Sequence, residues 1–280
     1  MQQVATGYGL VEAPVWDPAK GLYFSDVLNG GVYLLDAKDK VSLVVPKRRG
    51  VGGMALHEAG GLIMGGRDIA FFPLSDAPAK VWLKTADIPG STGFNDLTTD
   101  RAGRVYVGSL RSPALDDGPG RTPGELWRID GAGTAVCLYD DVAFANGVGF
   151  SPDERIIYHS NYSRREVLVH DVGEDGRATG RRVLAAVPLG NPDGLAVDET
   201  GCVWVALGGG GAIARFTPAG ALDAVLEVPS PFVASLCFGG ADRRDLYVAT
   251  MGNAEDASRG GTLFRTRADV PGLVSPPARV

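Results

Sequence analysis

The chain has 280 residues, of which 45% are hydrophobic and 21% charged, with a formal net charge of −6. This balance suits a folded protein with a sizeable core and excludes disordered and collagen-like classes. An acidic chain without a basic run is poorly suited to nucleic acid or anionic membranes, and no stretch approaches the ~18 apolar residues of a membrane span, so neither partner is expected.

The first ten residues, MQQVATGYGL, carry neither the basic start nor the apolar core of a signal peptide, which points to a cytoplasmic location. Cys137, Cys202 and Cys237 are odd in number, far apart and each set in an apolar run. They are read as reduced strand or core residues rather than as disulfide partners or metal ligands.

In chain order the sequence repeats one phrase: an alternating apolar strand, a polar turn and a second strand. APVWDPAKGLYFSD begins at Ala13 and is followed by GVYLLDA and VSLVVP as third and fourth strands. GMALHEAGGLIMGG follows from Gly53, DLTTDRAGRVYVGS from Asp96 and GVGFSPDERIIYHS from Gly147. GLAVDETGCVWVAL from Gly194 leads, through the glycines at 208–211, into AIARFTP and LDAVLEV. The last phrase, SLCFGGADRRDLYVAT, begins at Ser235. Aligned on the first turn residue (Asp17, His57, Asp100, Ser151, Asp198, Gly239), the copies are 40, 43, 51, 47 and 41 residues apart. A period of ~40–45 residues with four short strands per unit predicts a β-propeller blade. Period-two alternation with Gly, Pro and Asp punctuation excludes a helical repeat.

The sixth unit supplies GTLFRTR and then a Pro-rich tail, so it lacks a fourth strand. The N-terminal segment around QQVATGY is expected to fill that place, which closes the ring and removes an exposed sheet edge. The predicted fold is all-β: a six-bladed β-propeller, residues 1–280 in a single domain, with the N-terminal strand closing the last blade. The longest interval contains RSPALDDGPGRTPG, 111–124, read as a loop that is either a surface insertion or a partial lid over one face.

In such a fold the first strand of each blade lines the central channel. Five residues before each aligned turn stand Glu12, Gly52, Asn95, Asn146, Asp193 and Ala234, predicted to ring one channel mouth. One Asn or Asp there would be read as a turn cap. Four oxygen-bearing side chains in register, with two small residues leaving room, point instead to a hard divalent cation, Ca²⁺ above all. Zn²⁺, Mg²⁺ and Mn²⁺ also accept oxygen ligands. Asp96, beside Asn95, is read as a turn or supporting residue. The histidines, His57, His159 and His170, fall at non-equivalent repeat positions, and no nucleophile elbow or phosphate loop is present.

Taken together, VEAPVWDPAKGLYFSDV, FNDLTTDRAGRVYVGSL, ANGVGFSPDERIIYHSN, NPDGLAVDETGCVWVAL and CFGGADRRDLYVATM resemble the senescence-marker-protein/gluconolactonase family over nearly the whole chain. The resemblance implies a metal-dependent hydrolase that opens lactone rings. Its metal ligands would be Glu12, Asn146 and Asp193, with Asp193 also the catalytic acid/base and Asn95 contacting substrate or water. Fe²⁺ joins the alternatives for the metal. The sequence departs from the resemblance where Gly93 stands two residues before Asn95, a place that often holds arginine in sugar lactonases. A wall built from Gly93 and Phe94 favours less polar lactones, unless Arg111 of the long loop replaces the missing guanidinium and binds substrate. The competing readings are an ester or phosphoester hydrolase on the same metal, or a non-catalytic binding propeller with a structural ion.

Overall fold

Alternating apolar residues separated by short polar turns fold into antiparallel meanders. In the computed structural model the described residues are 1–112, 121–252 and 260–280. They form six four-stranded antiparallel sheets, as the repeat predicts. From inner to outer strand, blade 1 runs from Val11–Asp17 to Val41–Val45, blade 2 from Met54–Leu56 to Lys80–Lys84 and blade 3 from Gly93–Thr99 to Ala135–Val142. Blade 4 runs from Ala145–Phe150 to Ala178–Ala186, and blade 5 from Asn191–Val197 to Leu222–Glu227. Blade 6 consists of Val233–Gly239, Asp245–Thr250, Gly261–Arg267 and, outermost, the N-terminal strand Gln2–Tyr8. Antiparallel pairing from Gln2 with Arg265 to Tyr8 with Gly261 closes the ring as expected.

Each sheet packs both faces against its neighbours, so the second strands are buried on both faces and mostly apolar. Gly21–Asp26, Val105–Leu110 and Val203–Gly208 are buried along their whole length, whereas the outer strand Leu222–Glu227 is largely exposed. Separate apolar layers fill the gaps between blades. Ile69, Leu83, Phe94 and Val107 lie between blades 2 and 3; Val169, Leu195 and Val205 lie between blades 4 and 5. The aligned turn aspartates tie together the strands of their own blades. Asp198 accepts from the backbone N–H groups of Thr200 and Cys202, from Trp204 Nε1 at 2.9 Å and from Arg215 at 2.7 Å. Asp100 does the same for Arg104 and Tyr106.

The Pro-rich tail does more than end the chain. Leu273 N donates to Val197 O, Ala278 N to Leu56 O and the Thr99 hydroxyl to Pro276 O. These partners sit at the turn ends of inner strands, so the tail covers the end of the channel opposite the predicted ring.

His159 and His170 are strand residues, as expected, and both are buried. The His170 ring stacks on Tyr139 with centroids 3.8 Å apart, and Tyr139 Oη lies 2.9 Å from His159 Nδ1. Burial, helped by neighbouring positive charge, holds His159 down to about 3 and His170 to about 4. Both are therefore neutral in the folded protein at values where an unfolded chain, titrating near 6.5, has protonated them. Their folded values are depressed, so stability is complete above pH ~6.5 and is lost as pH falls toward the folded values. At pH ~4.5, His159 alone costs about 2–3 kcal/mol. Urea unfolding at pH ~7 and ~4.5 is expected to show a smaller acid loss for His159→Leu than for wild type; equal losses would exclude His159 as the source.

Candidate active site

The inner strands break their ladders where the ring residues sit. Register shifts fall between Glu12 and Val15, Phe94 and Leu97, Ala145 and Val148, Pro192 and Leu195, and Val233 and Ser235. A bulge of this kind re-aims a side chain and adds local twist. The residue after the ring position is small in most blades: Ala13, Gly53, Gly147, Gly194 and Ser235. A Cβ at Gly53 would meet Leu97 N at 2.5 Å and Asn95 O at 2.6 Å, and one at Gly147 would meet Asp193 O at 2.6 Å. Neighbouring inner strands thus approach backbone to backbone, which draws the ring residues together.

Glu12, Gly52, Asn95, Asn146 and Asp193 line one cavity of about 310 Å³. The sixth ring position, Ala234, is buried and is not part of that lining. Gly52 is small for a specific reason: a Cβ there would overlap the side-chain oxygen of Asn95. Asn95 Nδ2 donates to Ala145 O at 3.0 Å, which orients the amide with its oxygen over Gly52. Phe144, Tyr162, Phe232 and Met251 give the mouth an apolar wall on the blade 4 to 6 side. A second cavity, of about 240 Å³, lies further along the channel among Asp96, Thr98, Ser235 and Ser275 of the tail.

Glu12, Asn146 and Asp193 are 8%, 3% and 4% exposed. Burial first, then the charges of Asp193 and Asp96, pushes the Glu12 carboxyl well above the usual carboxylate range. Burial and Asp96 do the same to Asp193, opposed by hydrogen bonds from the Asn146 amide and Gly194 N–H. Among the described residues no cationic side chain relieves either group. Of the two roles expected for Asp96, turn or supporting residue, the turn does not hold: it lies in a strand, is raised to about 7 by burial, and its Oδ2 is buried without a partner among the described residues. Among the described residues no three His, Cys, Asp or Glu side chains gather at metal-binding spacing. A cation at this mouth would rest on two carboxylates and amide oxygens, a donor set that fits a hard divalent ion.

The other residues expected at the site are placed differently from the ring. Phe94 borders the cavity but is 2% exposed and packs into the layer between blades 2 and 3. Arg111 does not line the cavity: its Nε donates to Glu125 Oε1 at 2.6 Å, its Nη1 to Pro89 O at 2.6 Å, and its Nη2 pairs with Glu125. Arg111 is thus held in the hairpin of blade 3 and does not stand in for an arginine at position 93. The residues that sequence reasoning missed are Arg67 and Arg121, both in the cavity lining. The Arg121 guanidinium lies 3.8 Å over the Phe144 ring. The expected lid falls largely on residues 113–120, outside the described residues.

A six-bladed propeller with a polar, oxygen-lined mouth is the class of protein that this geometry defines. Residues 10–252 match the SMP-30/Gluconolactonase/LRE-like region family, and the chain belongs to that family. It is 31% identical to a 6-deoxy-6-sulfogluconolactonase of Pseudomonas putida, with 95% of this chain and 94% of the relative covered. It is also 31% identical to pentonolactonase XacC of Haloferax volcanii, covering 94% and 92%. A calcium-binding protein, regucalcin, from Agrobacterium tumefaciens superposes with a TM-score of 0.87 at 21% identity, over 100% of this chain and 97% of the other. This last likeness is one of fold. No helix among the described residues is long and apolar enough to cross a membrane.

The Gly52–Asn95 contact gives a prediction. Gly52→Ala is expected to displace the Asn95 side chain and weaken both cation binding and activity by about tenfold or more, while the thermal unfolding temperature moves little. Wild-type activity in a folded Gly52→Ala protein would remove Asn95 from the working site.

Proposed function

We propose that the protein is a hydrolase that opens lactone rings, with one divalent cation, Ca²⁺ before Zn²⁺, Mg²⁺, Mn²⁺ or Fe²⁺, held by Glu12, Asn146 and Asp193. The observation that carries this reading is the pair of buried carboxylates at a channel mouth, each pushed up by burial and neighbouring acidic charge and offset by no cationic side chain among the described residues. When bound, the ion would supply Lewis-acid polarisation of the lactone carbonyl and acidify attacking water.

The chain's own residues supply the rest. The Asn146 amide donates to Asp193 and holds that carboxylate in place. Asp193 takes a proton from the attacking water and returns it to the ring oxygen as the carbonyl carbon–oxygen bond breaks. The Asn95 oxygen accepts from a substrate hydroxyl or from that water. Tyr162 and Phe232 pack against the carbon face of the ring and exclude bulk solvent.

The relatives' names favour sugar lactones as the substrate class. The preference for less polar lactones suggested by Gly93 rests on a cavity without a guanidinium. Gly93 does leave its wall open, since a Cβ there would meet only Gly66 O at 3.4 Å. Arg121, however, lines the same cavity from another part of the long loop, which favours a polar lactone after all.

Two measurements test the reading. Gluconolactone hydrolysis is expected to fall at least ~100-fold on chelation and to return on adding Ca²⁺, and Asp193→Ala is expected to lose about 10²–10⁴-fold in kcat without unfolding. Chelation without effect, or Asp193→Ala near wild-type rate, would sink the metal-dependent mechanism.

A further inference from the structure

We propose that Arg67 and Arg121 form an anion subsite, so that the substrate is a lactone carrying a second, negatively charged substituent away from the ring carbonyl. The proposal rests on the lactonase reading above and adds to it the substrate's charge and the residues that recognise it.

The charged side chains among the described lining residues are Glu12, Asp193, Arg67 and Arg121. A divalent cation would balance the two carboxylates. Among the described residues that leaves the positive charges of Arg67 and Arg121 unmatched at the mouth of a protein whose net charge is −6. Local charge opposite in sign to the whole chain concentrates an anionic ligand at the cavity rather than over the surface.

Arg121 is the more telling of the two. Its Nε and Nη1 are buried and have no hydrogen-bond partner among the described residues, although each is an obligatory donor whose unpaired burial is costly. Stacking on Phe144 fixes the plane of the guanidinium but satisfies none of its N–H groups. A carboxylate, sulfonate or phosphate would accept from them in the paired geometry that suits a guanidinium. Arg111 shows the contrast within the same loop, since Glu125 and Pro89 already accept from it. Arg67 is exposed at the rim, on the loop after the second strand of blade 2, and no ion pair to it is found among the described residues. Arg67 comes from blade 2, and Arg121 comes from blade 3 and lies over Phe144 at the apolar wall. A ring packed beside Tyr162 and Phe232 would place a distal anion at the Arg121 guanidinium while its carbonyl faced the carboxylate ring.

The test uses the Ca²⁺-loaded protein and four lactones: gluconolactone, glucarolactone with its free carboxylate, 6-phosphogluconolactone and the 6-sulfonated gluconolactone. At least one anion-bearing lactone is expected to exceed gluconolactone in kcat/KM by about tenfold, and the preferred one identifies the anion. Arg121→Met is expected to erase that preference mainly through KM, Arg121→Lys to restore part of it, and Arg67→Met to have the smaller effect. Calorimetric titration with glucarate, 6-phosphogluconate and gluconate separates this proposal from the lactonase reading. If no lactone is hydrolysed, tighter binding of a ligand with a distal anion, lost in Arg121→Met, still supports the subsite. Equal kcat/KM or affinity for neutral and anionic ligands, or an anion preference that survives Arg121→Met, overturns it.

Discussion

The constraint on which the site depends is the repulsion between Glu12 and Asp193, two buried carboxylates held on different blades with Asp96 behind them. Burial alone penalises each charge, and proximity adds to the penalty. A fold selected only for stability would place apolar residues at these positions, because unpaired buried charge is among the costliest features a core can contain. The arrangement becomes favourable when a divalent cation compensates it.

The propeller makes this concentration of charge tolerable. Its stability resides in the apolar layers between blades and in the aspartate-centred turns, both away from the channel axis. The outermost strand of blade 6 comes from the N-terminus and closes the ring of sheets through backbone pairing. The bulges then act as local adjustments on a rigid frame. They redirect the ring positions, and glycines at 52, 53 and 147 supply the space that the resulting contacts require. With the tail across the opposite end, the channel keeps one chemically equipped mouth.

Much of this was legible in sequence because it is periodic. Strand alternation and a repeat near 40–45 residues specify blades, and counting back from the turn residue finds Glu12, Asn95, Asn146 and Asp193 in register. What was not legible depends on contacts that no repeat encodes. The bulges leave only the small residues after each ring position as a trace. The tail's path depends on hydrogen bonds to Val197, Leu56 and Thr99, far away in the chain. Arg111 and Arg121 look interchangeable in a Pro- and Gly-rich loop, and one signal could have separated them. Strand pairing in blade 3 sets Gly108 opposite Leu126, which brings Arg111 close to Glu125 across the hairpin, while no ion pair to Arg121 is found among the described residues.

The most direct test of the central claim is anomalous diffraction from crystals of the protein loaded with Mn²⁺ in place of Ca²⁺. The account predicts one strong peak per chain, within coordination distance of carboxylate oxygens of Glu12 and Asp193 and of the Asn146 amide oxygen, with Asn95 beside it. A peak centred instead on Asp96 in the lower channel cavity, or no peak at the mouth at saturating metal, would contradict it.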